Sequence, residues 1–375
     1  MPVHDSHSSA ARRFRRVGQG ACLVVAFFVF SSSSSPTDQA PASSAIDDLV
    51  KEQIRTYKIP GLSIAVTRQN QIIFSRSYGL ADVDNQIPVT PRTLFRVGSI
   101  TKAITATAAM ILAERGQLDL DVSVQRYCPA FPEKSWPVTT RELLAHTGGV
   151  RSFRVENGST PELSSTVHYA RVSDSVQLFA SDPLAFRPGA QYQYSNYGYD
   201  LVGCALEGAS GEPFEDLLRG VVFQRAGMSA TRIDDVIQII ANRSRIYTHA
   251  KDGTIQNAKS IDLSNRIPAA GILSTADDIA HFAIALESGK LLSLKSLQVM
   301  WTEQVTVSGE STRYGLGWMI RSHHGKLAAA HTGEQPGSST ILYLIPSARV
   351  SFVVLANADA AGLWKLADRL ADLLD

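Results

Sequence analysis

Residues 94–116, LFRVGSITKAITATAAMILAERG, decide the architecture of this chain. Ile100, Ala103, Ile104, Thr107, Ala108, Ile111 and Leu112 recur at helical spacing, which predicts a helix with one buried apolar face. Gly98 and Ser99 open it, and Gly116 stands where a left-handed terminal residue is favoured. Ser99 and Lys102 are three residues apart at its start and so share a face, about one turn apart. A hydroxyl at a helix N-terminus beside an amine makes an activated nucleophile. The amine takes the proton, and the helix dipole favours the developing negative charge. The pair carries little weight alone, because ten lysines and a serine at about one position in ten give roughly one Ser-x-x-Lys by chance, and this chain holds one.

Upstream of that helix the pattern changes period. Leu62, Ile64 and Val66 alternate with Ser63, Ala65 and Thr67, a strand that turns at Gln69-Asn70 into a second strand at 72–78. A helix precedes this hairpin at 45–57, with Ile46, Leu49, Val50 and Ile54 on one face, and 79–91 reads as loop. Downstream the middle of the chain is helical. A short helix at 140–144 stops at His146-Thr147-Gly148-Gly149, 150–170 is polar without a period, and helices follow at 173–180, 201–208, 214–218 and 294–301. Another helix is capped by Ser274 or Thr275, has Asp277 and Asp278 in its first turn, and ends at Gly289. The end returns to strands at 315–321, 326–331, 341–345 and 350–355, then an amphipathic helix at 363–374. Strands at both ends and helices between predict an α+β fold. One antiparallel sheet carries the terminal helices on one face, beside a mostly helical second lobe. The sheet lobe would take about 45–97 and 314–375, and the helical lobe about 98–313.

Composition sets limits on function. The chain has 375 residues and a formal charge of +1, with no basic stripe beyond its first residues, so nucleic-acid binding has no electrostatic footprint. Three cysteines without a Cys-x-x-Cys suggest neither a disulfide framework nor a cysteine zinc site, and no metal or cofactor is expected. Cys22 lies in the leader and Cys204 in an apolar helical pattern. Cys128 is either a free thiol or the partner of Cys204. Arg12, Arg13, Arg15 and Arg16 precede an apolar run at 21–30 that is short for a bilayer. Serines at 31–35 and Ala40-Pro41-Ala42 follow. This predicts a secretory signal over 1–42, cleaved after Ala42, and an exported protein, periplasmic or extracellular. An uncleaved membrane anchor is the alternative, and the paired arginines hint at twin-arginine export.

Three further stretches bear on chemistry. FRPGAQYQYSN at 186–196 sets Tyr194 and Asn196 just after a Pro-Gly turn, and taken alone it reads as an aromatic loop on the core. His331-Thr332-Gly333 closes a strand, and LLAHTGG at 143–149 reads as a helix stop. Together with FRVGSITK, AAGILSTADDIAHF and HTGEQPG, these stretches resemble the serine β-lactamase and penicillin-binding protein superfamily. There Ser-x-x-Lys, Tyr-x-Asn and Lys-Thr-Gly or His-x-Gly follow in this order. The resemblance spans residues 45–370, and LDLDVSVQRYCPAFPEKSWPVTTRELLAHTGG especially resembles the mitochondrial β-lactamase-like serine proteases.

The resemblance implies one hydrolase domain over 43–375 and a role for each residue. Ser99 would be acylated and Lys102 would take its proton. Tyr194 would pass a proton to the leaving group and later help to activate water. Asn196 would bind the substrate amide and Lys102, while His331, Thr332 and Gly333 would line the substrate strand. The backbone N–H groups of Ser99 and Glu334 would form the oxyanion hole. His331 stands where β-lactamases carry a permanently charged lysine, and an imidazole is largely neutral near pH 7. That favours a peptide, D-amino-acid peptide or ester over a penicillin-like acid. Glu162 lacks the neighbours of the deacylating glutamate of some β-lactamases. The resemblance also leaves open a β-lactamase, a penicillin-binding sensor, or a scaffold forming homo-oligomers or filaments. The expected partner is a small-molecule or peptide substrate, with a membrane only through an uncleaved leader.

Overall fold

The computed structural model describes residues 36–155 and 160–375, with side chains from residue 43 onward. Residues 1–35, most of the expected leader, lie outside the described residues. Helix α1 spans Pro36–Tyr57, so it begins upstream of the expected start and runs through 40–42. Among the described residues no helix is long and apolar enough to cross a membrane.

Seven antiparallel strands make the main sheet. They are β1 (Gly61–Arg68), β2 (Gln71–Asp82), β3 (Ile87–Pro88), β4 (Met319–His323), β5 (Lys326–Gln335), β6 (Ser338–Ile345) and β7 (Val350–Ala356), in the spatial order β3-β2-β1-β7-β6-β5-β4. The first and last strand groups join through β1 and β7, in a register running from Leu62 opposite Ala356 to Arg68 opposite Val350. Gln69 and Asn70 turn the first hairpin with φ of 51° and 65°, the left-handed pair that a tight two-residue hairpin demands. Strand β2 runs on to Asp82 and pairs with β3, where the sequence predicted only loop. The period of two sorts the sheet's faces. Val350, Phe352 and Val354 pack outward with Ile46 and Val50 of α1 and with Leu366 and Leu370 of α6 (Leu363–Leu374). Val353 and Leu355 pack inward.

The inward face receives α2 (Ile100–Glu114) and α5 (Ala276–Glu287). Helix α2 differs from the expectation of one buried face. Every residue from Ile100 to Leu112 is buried, because α2 lies between the sheet and α4 (Asn196–Ser210). Alanines and threonines on its other faces let those neighbours approach. Helix α5 comes from the segment assigned to the helical lobe, yet Ile279, Phe282 and Leu286 join the core under the sheet, against β1 and β7. Cys128 and Cys204 form a disulfide with Cα atoms 5.5 Å apart, which resolves the alternative left by the sequence.

Two local differences bear on the site. The strand expected at 315–321 starts only at Met319. Gly317 turns there at φ +85°, and a Cβ on it would lie 2.4 Å from the Ala106 Cβ and 3.0 Å from the Lys102 carbonyl oxygen, so glycine lets this turn press onto α2. Helix α4 starts at Asn196 rather than at 201. Ser195 caps it by accepting from the Gly198 N–H at 2.9 Å.

Candidate active site

Two helix starts meet at Lys102. It is the third residue of α2, and Asn196 is the first of α4. Its Nζ lies 3.0 Å from Ser99 Oγ, 2.8 Å from Asn196 Oδ1 and 3.0 Å from the Ala269 carbonyl oxygen. The side chain is wholly buried. Burial lowers its pKa to about 7, Asp200 opposing and Arg266 adding to the shift. The positive ends of two helix dipoles also disfavour an ammonium there. As an ammonium, Lys102 donates all three bonds. As a neutral amine it donates to Asn196 and Ala269 and offers its lone pair to the Ser99 hydroxyl. That geometry fits a general base for Ser99.

Tyr194 is the second group beside Ser99. Burial raises its phenol, and a hydrogen bond with Ser99 pulls it back. Lys102 Nζ sits 4.8 Å from its ring centroid and 5.5 Å from that of Tyr199. Tyr194 also packs on His146, centroids 4.3 Å apart. His146 adopts φ +60° at the stop of the helix α3 (Thr140–Leu144), and its Nδ1 accepts the Ser195 N–H at 3.1 Å. Burial first, and the charge of Lys102 second, hold its pKa far below the usual imidazole value, so the ring is neutral. The sequence reading of LLAHTGG as a helix stop describes the backbone, but it missed the ring that supports Tyr194.

The residues of the His-x-Gly stretch divide. His331 is fully buried and does not line the cleft at Ser99. Its Nδ1–H donates to the Thr332 carbonyl at 2.7 Å, and its Nε2 accepts from the Tyr314 hydroxyl at 2.8 Å. Burial first, and the charge of Lys102 second, lower its pKa to about 3. The imidazole is therefore a neutral prop, turned inward with both nitrogens engaged. Tyr314 was not anticipated from sequence. Thr332 and Glu334 do face the cleft, a hollow of about 300 Å³ lined also by Ser99, Tyr194, Asn196, Phe153, Leu163 and Arg266. Gly333 lies against Ser99, where an added Cβ would come within 3.0 Å of the Ser99 nitrogen. The Ser99 N–H makes no backbone hydrogen bond among the described residues, so it is free to meet an oxyanion.

The charges of the cleft are unequal in reach. Glu334 is exposed, and its Oε2 accepts from the Ser339 hydroxyl at 2.8 Å. Arg266 is 1% exposed, donates to the Leu163 carbonyl at 2.5 Å and stacks 5.0 Å from the Phe153 ring centroid. Glu162 is tied up with Arg151, both carboxylate oxygens bonded at 3.0 Å, and does not line the cleft. Among the described residues His323, His324 and Asp372 gather three metal-ligating atoms within 4.8 Å of one another, and none of them lines the cleft.

A family model described as Beta-lactamase matches residues 46–374. The human "Serine beta-lactamase-like protein LACTB, mitochondrial" is 27% identical over 377 residues, covering 76% of this chain and 69% of that protein. A penicillin binding protein from Bacillus halodurans superposes with a TM-score of 0.75 at 26% identity, covering 86% of this chain and 99% of its own. A D-amino acid amidase from Ochrobactrum anthropi SV3, complexed with D-phenylalanine, gives 0.75 at 25% identity, covering 89% and 99%.

Proposed function

The chain belongs to the beta-lactamase family and is a serine hydrolase, and from that premise we propose that Ser99 is the nucleophile that a peptide, D-amino-acid peptide or ester acylates. Neutral Lys102 takes the Ser99 proton as Oγ bonds to the carbonyl carbon. The carbonyl oxygen becomes an oxyanion between the N–H groups of Ser99 and Glu334. Collapse breaks the bond to the leaving group, which receives a proton from the Tyr194 hydroxyl. Tyr194 recovers that proton from Lys102. Water then attacks the acyl carbon, loses its proton through Tyr194 and Lys102, and Ser99 leaves with a proton restored. The observation that carries this reading is the buried Lys102 amine, 3.0 Å from Ser99 Oγ with a pKa lowered to about 7.

Ser99→Ala should abolish both turnover and labelling by a serine-reactive phosphonate. Either activity surviving in that variant overturns the proposal.

Two features favour neutral or amine-bearing substrates over carboxylic acids. His331 is neutral and turned inward, and Glu334 is the exposed charge of the cleft while Arg266 is buried. A β-lactamase is the second reading. It requires nitrocefin hydrolysis, and a lack of it at high enzyme concentration disposes of it. The Cys128–Cys204 disulfide supports an exported protein, since such bonds persist in oxidising compartments.

A further inference from the structure

The edge of the main sheet carries a cluster that the reaction at Ser99 does not use. Strand β4 ends at His323 and turns into β5 through His324 and Gly325, at φ of 45° and 79°. These are the two left-handed positions of a tight hairpin, closed by His323 opposite Lys326. Asp368 and Asp372 of α6, with Asp375 just after it, follow at intervals of four and three residues and share a face. That face meets the hairpin. Arg321 pairs with Asp368, His324 Nε2 lies 2.9 Å from Asp372 Oδ1, and Lys326 pairs with Asp375 Oδ1.

His323 stands apart from this ladder. It is 8% exposed, and its Nε2 has no hydrogen-bond partner among the described residues. The nitrogen nevertheless points into the cluster, 3.7 Å from Asp372 Oδ1 and 3.9 Å from Asp375 Oδ2. A buried ring nitrogen left without a bond costs free energy that a ligand would recover.

We infer that His323 Nε2, His324 Nε2 and Asp372 Oδ1 bind a divalent transition-metal ion, zinc foremost, which ties the edge hairpin of the sheet to α6. The site is independent of the chemistry at Ser99. Its ligating atoms already lie within 4.8 Å of one another. With ligands at about 2.0–2.1 Å from zinc, the edge of a coordination tetrahedron is about 3.3 Å. The separations of 2.9 and 3.7 Å at Asp372 Oδ1 fall on either side of that edge. Burial fixes the His323 ring, and His324 is exposed, so its ring can turn to complete the set. The fourth position falls to Asp375 Oδ2 or to water.

Charge and donor type agree with the geometry. Arg321 and Lys326 each have a carboxylate of their own, whereas Asp372 pairs with no lysine or arginine among the described residues. A dication therefore meets one uncompensated negative charge. Two imidazoles and a carboxylate suit zinc, copper or nickel, while calcium and magnesium take oxygen donors. Without the ion, His324 Nε2–H donates to Asp372. The ion takes the place of that proton, which passes to water. Strand β4 is the last of the sheet and pairs on one side only, with β5. An ion at its end would brace the strand that begins at Met319, a residue lining the cleft, without touching the substrate there.

The test uses the full chain, stripped with a chelator and titrated with zinc chloride in a calorimeter. One ion per chain should bind with a Kd of about 1 μM or below. Zinc at about 100 times that Kd should raise the melting temperature by a few degrees. Cobalt(II) in place of zinc should give the visible absorption of a tetrahedral ion. His324→Ala and Asp372→Asn change exposed side chains and should keep a cooperative melt. Each should weaken zinc binding by about 100-fold or more and remove the cobalt absorption. Asp368→Asn, on the same helix face but outside the ligand set, should bind as the wild type does. Absence of zinc binding at about 100 times the expected Kd would mean that these residues form an ion-pair ladder only, and would overturn the inference. Binding that survives undiminished in His324→Ala or Asp372→Asn would place the ion elsewhere in the chain and overturn it equally.

Discussion

Gly98 and Gly333 pack backbone against backbone. A Cβ on Gly98 would lie 2.9 Å from the Gly333 Cα and 3.3 Å from the Glu334 nitrogen. A Cβ on Gly333 would lie 2.1 Å from the Val97 carbonyl oxygen. Two strands of chain, one opening α2 and one closing β5, are thereby held at glycine distance, and this sets how far apart the Ser99 and Glu334 N–H groups stand.

Gly333→Ala should therefore act on the transition state. The methyl group forces β5 away from Ser99, and kcat should fall by about 100-fold or more with KM little changed, as for the loss of one oxyanion donor. Ester hydrolysis kinetics, with a melting curve to show a folded protein, test this. An unchanged kcat would remove the two backbone N–H groups from the mechanism.

The buried lysine predicts two pH dependences of opposite origin. Activity needs the neutral amine, so kcat/KM should fall as pH drops through about 7. Stability follows linkage. The unfolded lysine titrates at 10.5 and the folded one at about 7, so between these values the unfolded chain binds more protons and stability rises with pH. Lys102→Met should abolish turnover and also flatten the stability-versus-pH curve between 7 and 10.5. Urea unfolding of both proteins across that range decides it, and parallel curves would mean that Lys102 is not depressed.

Glu334 should set charge preference. Glu334→Lys places a cation at the cleft and should raise the rate on an anionic acyl donor, relative to a neutral ester, by about tenfold, equivalent to about 1.4 kcal/mol in the barrier. Paired measurements with nitrocefin and a neutral ester at low salt give the ratio. No change in the ratio would place the substrate's charged groups away from β5.

The Cys128–Cys204 bridge closes a sequence separation of 76 residues and ties the segment after α2 to α4. Replacing both cysteines by serine should lower stability by about 2–4 kcal/mol. Both residues are buried, so a reducing agent should act on the native protein only through opening. Equilibrium unfolding with and without reductant checks both statements, and rapid reduction of the folded protein would contradict the second.

Some of this was legible in the sequence for definite physical reasons. Alternation at 62–66 gave β1, while β7 showed as a nearly unbroken apolar run at 350–355, as a strand covered on both faces does. The helix at 363–374 was plain because one face meets the sheet and the other meets water. Motif order brought Ser99, Lys102, Tyr194 and Asn196 to one place. It could not say which way a ring turns. His331 was expected among the substrate-binding residues, yet its side chain faces Tyr314. Ser195 as a helix cap was hidden because 192–197 has no helical period. Asp200 was passed over because it looks ordinary in sequence, and only its burial, with neither carboxylate oxygen hydrogen-bonded among the described residues, makes it unusual.

The pairing of β1 with β7 joins residues near the start of the chain to residues near its end. During synthesis the N-terminal hairpin emerges long before its neighbour exists, and every residue of the helical core is made in between. Until residue 356 is available, β1 presents an open, apolar edge able to pair with another chain. A ribosome that stops early, or a protease that clips the last strand, would thus leave an aggregation-prone product rather than a weakened enzyme.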